Sequence, residues 1–175
     1  FRSTTRYEHA RKRISSYFNG ADGHCLIFTH GATASMNMVA QCFVRPDLQP
    51  GDEVIITQMD HHANWVPWFL LKESHGLVIR VVQITPKGEL DWDSYTQAFS
   101  SRTKLVSFPH VSNVLGTINP VREITDYAHQ QGVPVLVDGA QAPAHIGVDI
   151  KDLNCDFYAV SAHKMMGPTG VGGLF

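Results

Sequence analysis

Residues 133–141 read Val133-Pro134-Val135-Leu136-Val137-Asp138-Gly139-Ala140-Gln141. An apolar run with no polar alternation fits a strand buried on both faces, as parallel α/β sheets require. The run closes on a carboxylate. Asp138 at the end of a buried strand is poorly solvated and wants a cationic partner. In open α/β sheets, ligands gather at this carboxyl edge. The plainer alternative is that Asp138 only caps the turn that follows.

Outward from this strand the chain alternates between strand and helix patterns, which predicts an α/β fold with a parallel sheet. Strands are expected near 24–29, 53–57, 77–83, 104–108, 133–138, 156–160 and 171–175, and helices over 33–44, 62–75, 91–99 and 120–132. A further helix over 6–18 should place Tyr7, Ala10, Ile14 and Phe18 on one side and basic residues on the other. Pro50-Gly51-Asp52 and Pro86-Lys87-Gly88 read as turns. No repeat or low-complexity tract is present.

The strand at 156–160 is followed by Ser161-Ala162-His163-Lys164 and a glycine-rich turn. A lysine can hold an aldehyde covalently once its ammonium is deprotonated by desolvation or by neighbouring positive charge. An isolated lysine is most often a solvated surface residue; the consecutive strand ends of Asp138 and Lys164 change its reading. An Asp on the pyridine nitrogen and a Lys on the aldehyde are what proteins contribute to pyridoxal 5'-phosphate. A third segment, Thr29-His30-Gly31-Ala32-Thr33-Ala34-Ser35, turns tightly from the strand at 24–29 into a helix. Its amides and the positive helix end suit an anion, and Thr33 could add a hydroxyl or simply cap the helix.

Composition narrows the class. At 175 residues, with 43% hydrophobic and 17% charged, the chain can bury a sizeable core. A net charge of −2 with 14 Lys+Arg provides no basic face for nucleic acid. No apolar stretch approaches the length of a membrane span. The ten histidines fall in no HExxH or CxxC pattern, so no metal is expected. Cys25, Cys42 and Cys155 form no disulfide framework and read as small buried hydrophobes.

Five blocks carry a family resemblance: FTHGATASMNMVA (28–40), DHHANWVPW (60–68), HVSNVLGT (110–117), VLVDGAQ (135–141) and DFYAVSAHKMMGPTGVG (156–172). In this order and spacing they resemble the class V aminotransferase-type, fold type I pyridoxal phosphate enzymes. Within that class the chain is most similar to the group II cysteine desulfurases, including cysteine sulfinate desulfinase and selenocysteine lyase. The resemblance implies a three-layer α/β/α domain over residues 1–175, the cofactor-binding large domain. Its seven mostly parallel strands would lie in the order 3-2-4-5-6-7-1, the last antiparallel. It also implies a cytoplasmic homodimer converting L-cysteine to L-alanine, with sulfur passed as an enzyme persulfide to an acceptor protein, as in iron–sulfur assembly. Other class V chemistries (selenocysteine lyase, aminotransferase, epimerase or kynureninase) and a non-catalytic cofactor-binding or interaction domain are the alternatives.

By resemblance, Lys164 matches the lysine that holds the cofactor and moves protons. Asp138 matches the partner of the pyridine nitrogen, and Gln141 the donor to the ring's phenolic oxygen. His61 matches the imidazole stacked on the ring, an acid/base candidate, while His62 is structural. Thr33, Ser161 and His163 match the phosphate cup, and Asn113 the residue that contacts the substrate carboxylate. The sequence departs from the family at Ala32, Thr33 and Ala34, where two threonines and an acid are usual. Asp60 replaces a commoner Glu, and Ala162 a frequent Gly. The family's reactive cysteine and carboxylate-binding arginine match no residue of this chain, which reads as an internal piece inactive by itself.

Overall fold

Each central strand sends alternate side chains into two different cores. On strand β2 (Glu53–Thr57), Val54 and Ile56 enter one core and Ile55 the other. The same alternation places Leu105 opposite Val106 on β4 (Thr103–Pro109), Leu136 opposite Val135 and Val137 on β5 (Val135–Asp138), and Ala159 opposite Tyr158 and Val160 on β6 (Phe157–Ser161). A period of two with both faces apolar requires a helical layer on each side. The computed structural model, which describes residues 2–20 and 25–175, supplies both layers.

One core packs against α2 (Ala32–Val39) and α3 (Val66–His75) through Met36, Val39, Trp68 and Leu71. The other packs against α4 (Trp92–Gln97) through Tyr95 and α5 (Val121–Gln130) through Val121, Ile124 and Ala128. With the buried Thr125 these residues stand at i, i+3, i+4 and i+7, the stripe of a helix with one face turned inward. A short helix α6 (Ile150–Leu153), capped by the Asp149 carboxylate accepting the Asp152 N–H, leads into β6.

The remaining strands are β1 (Ile27–Thr29), β3 (Val78–Val82) and β7 (Gly172–Leu174). The sheet order is β1-β7-β6-β5-β4-β2-β3. This is the expected 3-2-4-5-6-7-1 read from the other edge. Strand β7 runs antiparallel to both β6 and β1, and the remaining pairs are parallel. The carboxyl ends of β1, β2, β4, β5 and β6 therefore share one edge.

Several expectations need correction. The first strand was expected from 24; it begins at Ile27, and His24 lies outside the described residues. The first helix, α1 (Arg2–Tyr17), starts earlier than expected, and its apolar side is not uniformly buried. Phe18 is buried and Ile14 partly so, whereas Ala10 is exposed and Tyr7 is 47% exposed. Arg11 adds a contact of its own: its guanidinium lies over the rings of Tyr7 and Phe28 and donates to the Leu26 carbonyl. Cys25 and Cys42 are exposed, contrary to expectation. At Cys42 the helix has passed from α to π winding over Ala40–Val44. The wider turn keeps Ala40 and Val44 inside and swings Cys42 and Phe43 out. At Cys25 it is the neighbouring Leu26 that occupies the core. Cys155 is partly buried, and burial pushes its thiol up to about 12.

Candidate active site

Five strand ends converge on one cavity of about 180 Å³. After β1, Gly31 takes φ +135, which only glycine tolerates easily, and turns the chain into α2, placing Ala32 and Thr33 in the wall. After β2 come His61 and Ala63; at the end of β4 and beyond it, Pro109, Val111 and Asn113; of β5, Asp138, Ala140 and Gln141; of β6, Ser161, His163 and Lys164. All eight residues singled out in the sequence (Thr33, His61, Asn113, Asp138, Gln141, Ser161, His163 and Lys164) line it. Asp138 and Ser161 are buried, Gln141 is half-buried, and the other five are exposed.

The Asp138 carboxylate is 6% exposed. Its Oδ1 accepts the Ala140 N–H at 2.9 Å, so the residue does cap its turn. Among the described residues its other oxygen accepts no hydrogen bond and the carboxylate makes no ion pair. Burial holds its pKa above the ordinary value, opposed by the Ala140 N–H and by the charges of His61 and Lys164. Behind it, Gly139 is required by a close approach: a Cβ there would stand 2.1 Å from the ring of the fully buried Tyr158. The Tyr158 hydroxyl meets Nδ1 of His110 at 2.8 Å, and burial lowers His110 to about 4, keeping it neutral.

Lys164 lies on the 3-10 helix Ala162–Met165 directly after β6. Ser161, the last residue of β6, reaches across to α2, where its Oγ accepts the Ala32 N–H at 2.8 Å. Thr33 is therefore not the cap of α2: the helix begins one residue earlier, and Ser161 satisfies its first amide from another strand. The turn is held close to β7, since a Cβ on Gly172 would stand 2.4 Å from Gly31 Cα.

His61 begins the 3-10 helix His62–Asn64, and its Nδ1 accepts the Ala63 N–H at 3.1 Å, leaving the proton of the neutral ring on Nε2. Next to it lies a polar network that sequence reading missed. Asp60 Oδ2 accepts from the Thr57 N–H at 2.6 Å and from the Thr57 hydroxyl at 2.8 Å, and Oδ1 accepts from Asn64 Nδ2 at 2.8 Å. Asn64 Oδ1 in turn accepts from Trp68 Nε1 at 3.1 Å and from Ser107 Oγ at 2.7 Å. Burial pushes the Asp60 carboxyl up to about 7 against these donors, and Asp138 adds to the rise. Trp68, three residues beyond Trp65 on an apolar helix face, was the available signal: a buried indole N–H needs an acceptor.

Among the described residues, no three His, Cys, Asp or Glu side chains gather as a metal site, and no helix is long and apolar enough to cross a membrane.

Comparison with known proteins completes the description. The profile of the Aminotransferase class-V family matches residues 1–175. The chain belongs to the class-V aminotransferase family. Class-V relatives include a cysteine desulfurase of Dickeya dadantii, 45% identical over 174 residues, covering 99% of this chain and 42% of that protein. Another, a cysteine desulfurase of Synechococcus elongatus, is 44% identical over 174 residues, covering 99% of this chain and 28% of that protein. Among solved class-V structures, the cysteine desulfurase CsdA of Escherichia coli superposes with a TM-score of 0.94 at 39% identity. It matches 99% of this chain and 44% of its own. The apo cysteine desulfurase of Thermococcus onnurineus gives 0.92 at 34% identity, matching 98% of this chain and 42% of its own. The chain thus spans under half the length of these relatives.

Proposed function

We propose that this chain forms the pyridoxal 5'-phosphate-binding large domain of a cysteine desulfurase, which takes L-cysteine to L-alanine and passes the sulfur to an acceptor protein. The observation that carries the reading is one cavity holding Lys164 together with a buried Asp138 that makes no ion pair and keeps one oxygen without a hydrogen bond among the described residues. A protonated pyridine nitrogen answers that unmet charge, and an aldehyde answers the lysine. The likeness to cysteine desulfurases supports the sulfur chemistry.

When bound, pyridoxal phosphate supplies an electron sink for negative charge developing at the substrate α-carbon. Lys164 Nζ would hold the cofactor at its aldehyde carbon, and once free its amine is the base the cavity offers for a proton on the substrate α-carbon. Asp138, desolvated and raised in pKa, stabilises the proton on the ring nitrogen. Gln141 donates to the phenolic oxygen. His61 covers one ring face, its Nε2 proton fixed by the Ala63 bond to Nδ1. Thr33, Ser161 and His163 would take the phosphate together with the α2 amides that follow Ala32, whose own N–H Ser161 already holds. Ser161 spends a lone pair on Ala32 N–H and keeps its own proton to donate. Asn113 contacts the substrate carboxylate. The enzyme acts as a cytoplasmic homodimer feeding a sulfur-acceptor protein in iron–sulfur assembly.

Lys164→Ala in the intact protein is expected to lose both the visible absorption of the tethered cofactor and the release of alanine and sulfide from L-cysteine. A variant turning over at the wild-type rate would sink the reading.

A further inference from the structure

His61 stands in the cavity wall, and His61 and His62 are both exposed between the buried Met59 and Ala63, which packs against the core. Polar ties lie on both sides of the pair. On the amino side, Asp60 donates its N–H to the Thr57 carbonyl at 3.2 Å while its carboxylate takes the Thr57 amide and hydroxyl. On the carboxyl side, the buried Asn64 donates its N–H to the His61 carbonyl at 2.8 Å. The two sides are joined by the Asn64–Asp60 side-chain bond, and Asn64 is tied to β4 through Ser107 and to α3 through Trp68. The turn carrying His61 is thereby fastened to the end of β2, to β4 and to α3 at once.

We propose that Asp60 and Asn64 are positioning residues, which set the tilt of the His61 ring over the cavity through this shared network. The inference rests on the reading that the cavity holds pyridoxal phosphate under His61. The chemistry of the network is selective for a carboxylate at 60. Three donors converge on its two oxygens, and two of them cannot reverse: the Thr57 N–H, and the Asn64 amide, whose oxygen is held by the donor-only Trp68 indole. An asparagine at 60 sets its own NH2 against one of those two, whichever way it is turned. Buried donors left facing donors lose their partners at substantial cost, so the turn must shift. Because His61 hangs between the two tied residues, the shift moves its ring.

The test is a double-mutant cycle on the intact protein loaded with pyridoxal phosphate, using Asp60→Asn, His61→Ala and the pair. The readouts are the dissociation constant of pyridoxal phosphate and the visible circular dichroism of the bound cofactor, which reports the asymmetry of its surroundings. Asp60→Asn is expected to weaken cofactor binding about tenfold and to reduce the dichroism, with the absorption band of the Lys164-tethered cofactor retained. In the His61→Ala background the same substitution should add less than about twofold, because what it positions is gone. An equal loss in both backgrounds, or unchanged dichroism and affinity, would overturn the positioning role. Ser107→Ala, which removes one donor to Asn64 without touching residues 57–61, is the milder variant should Asp60→Asn not fold. It is expected to show the same dependence on His61, and its independence of His61 would equally overturn the role. A wild-type protein with no visible cofactor band would instead overturn the reading of the cavity itself, and the positioning role with it.

Discussion

Replacing His110 by glutamine should change how stability responds to acid. The imidazole is 5% exposed, and burial brings its pKa from the ordinary 6.5 down to about 4. In the unfolded chain His110 takes a proton near pH 6.5; in the folded chain it resists until about pH 4. Between those values the unfolded state binds more protons, so stability present above pH 6.5 is lost as pH falls toward 4. At pH 5 the loss spans about 1.5 pH units, and at ~1.36 kcal/mol per unit this is about 2 kcal/mol. Asp60 and Asp138 work in the opposite sense. Their folded pKa values are raised, so their cost to the folded state grows as pH rises from about 4. The wild-type curve therefore sums opposing slopes, and only a difference isolates His110. Glutamine retains an acceptor for the Tyr158 hydroxyl and does not titrate. In urea unfolding of the cofactor-free protein, the stability difference between wild type and His110→Gln should move by about 2 kcal/mol in favour of the variant from pH 7.5 to pH 5. A difference constant to within about 0.5 kcal/mol would mean that the folded ring titrates like an exposed one, refuting its desolvation.

Two further outcomes follow from the same wall of the cavity. Asp138→Asn should keep a folded protein, because its oxygen can still accept the Ala140 N–H, yet lower turnover on the order of 100-fold by removing the charge opposite the ring nitrogen; a normal rate in steady-state assays would contradict that role. Gly139→Ala should destabilise by roughly 3 kcal/mol or more, since its Cβ would fall 2.1 Å from the Tyr158 ring. Wild-type stability in thermal and urea unfolding would show that the close approach does not exist.

The strands and the cavity were legible because both rest on local patterns. Apolar runs marked β2, β4, β5 and β6, and each run was followed within four residues by the polar group that now lines the cavity. Reading by helical period failed where the period itself changed. The π-wound turn at 40–44 exposes Cys42, which a 3.6-residue repeat would bury. The apolar stripe of α1 misled for another reason: only its C-terminal part enters the core, through Ile14 and the adjoining Phe18, while nearer the start the Arg11 guanidinium lies over Tyr7 and Phe28. The support of His61 was only half legible: the Trp68 indole announced a need for an acceptor, but the bond from Ser107, 43 residues from Asn64, follows from no local pattern.

The bond from Ser161 to the Ala32 amide also bears on how the molecule is made. Its two ends are 129 residues apart, and between them β7 must slot between β6 and β1 before the Gly31 turn meets Gly172. Long-range closures of this kind are entropically costly and come late in folding. A ribosome that has delivered the strand bearing Asp138 has made neither Ser161 nor Lys164, and the turn at Gly31 has nothing yet to brace it. The cavity wall thus becomes complete only when β6 and β7 have been synthesised, so that a finished cavity marks a chain whose sheet has closed.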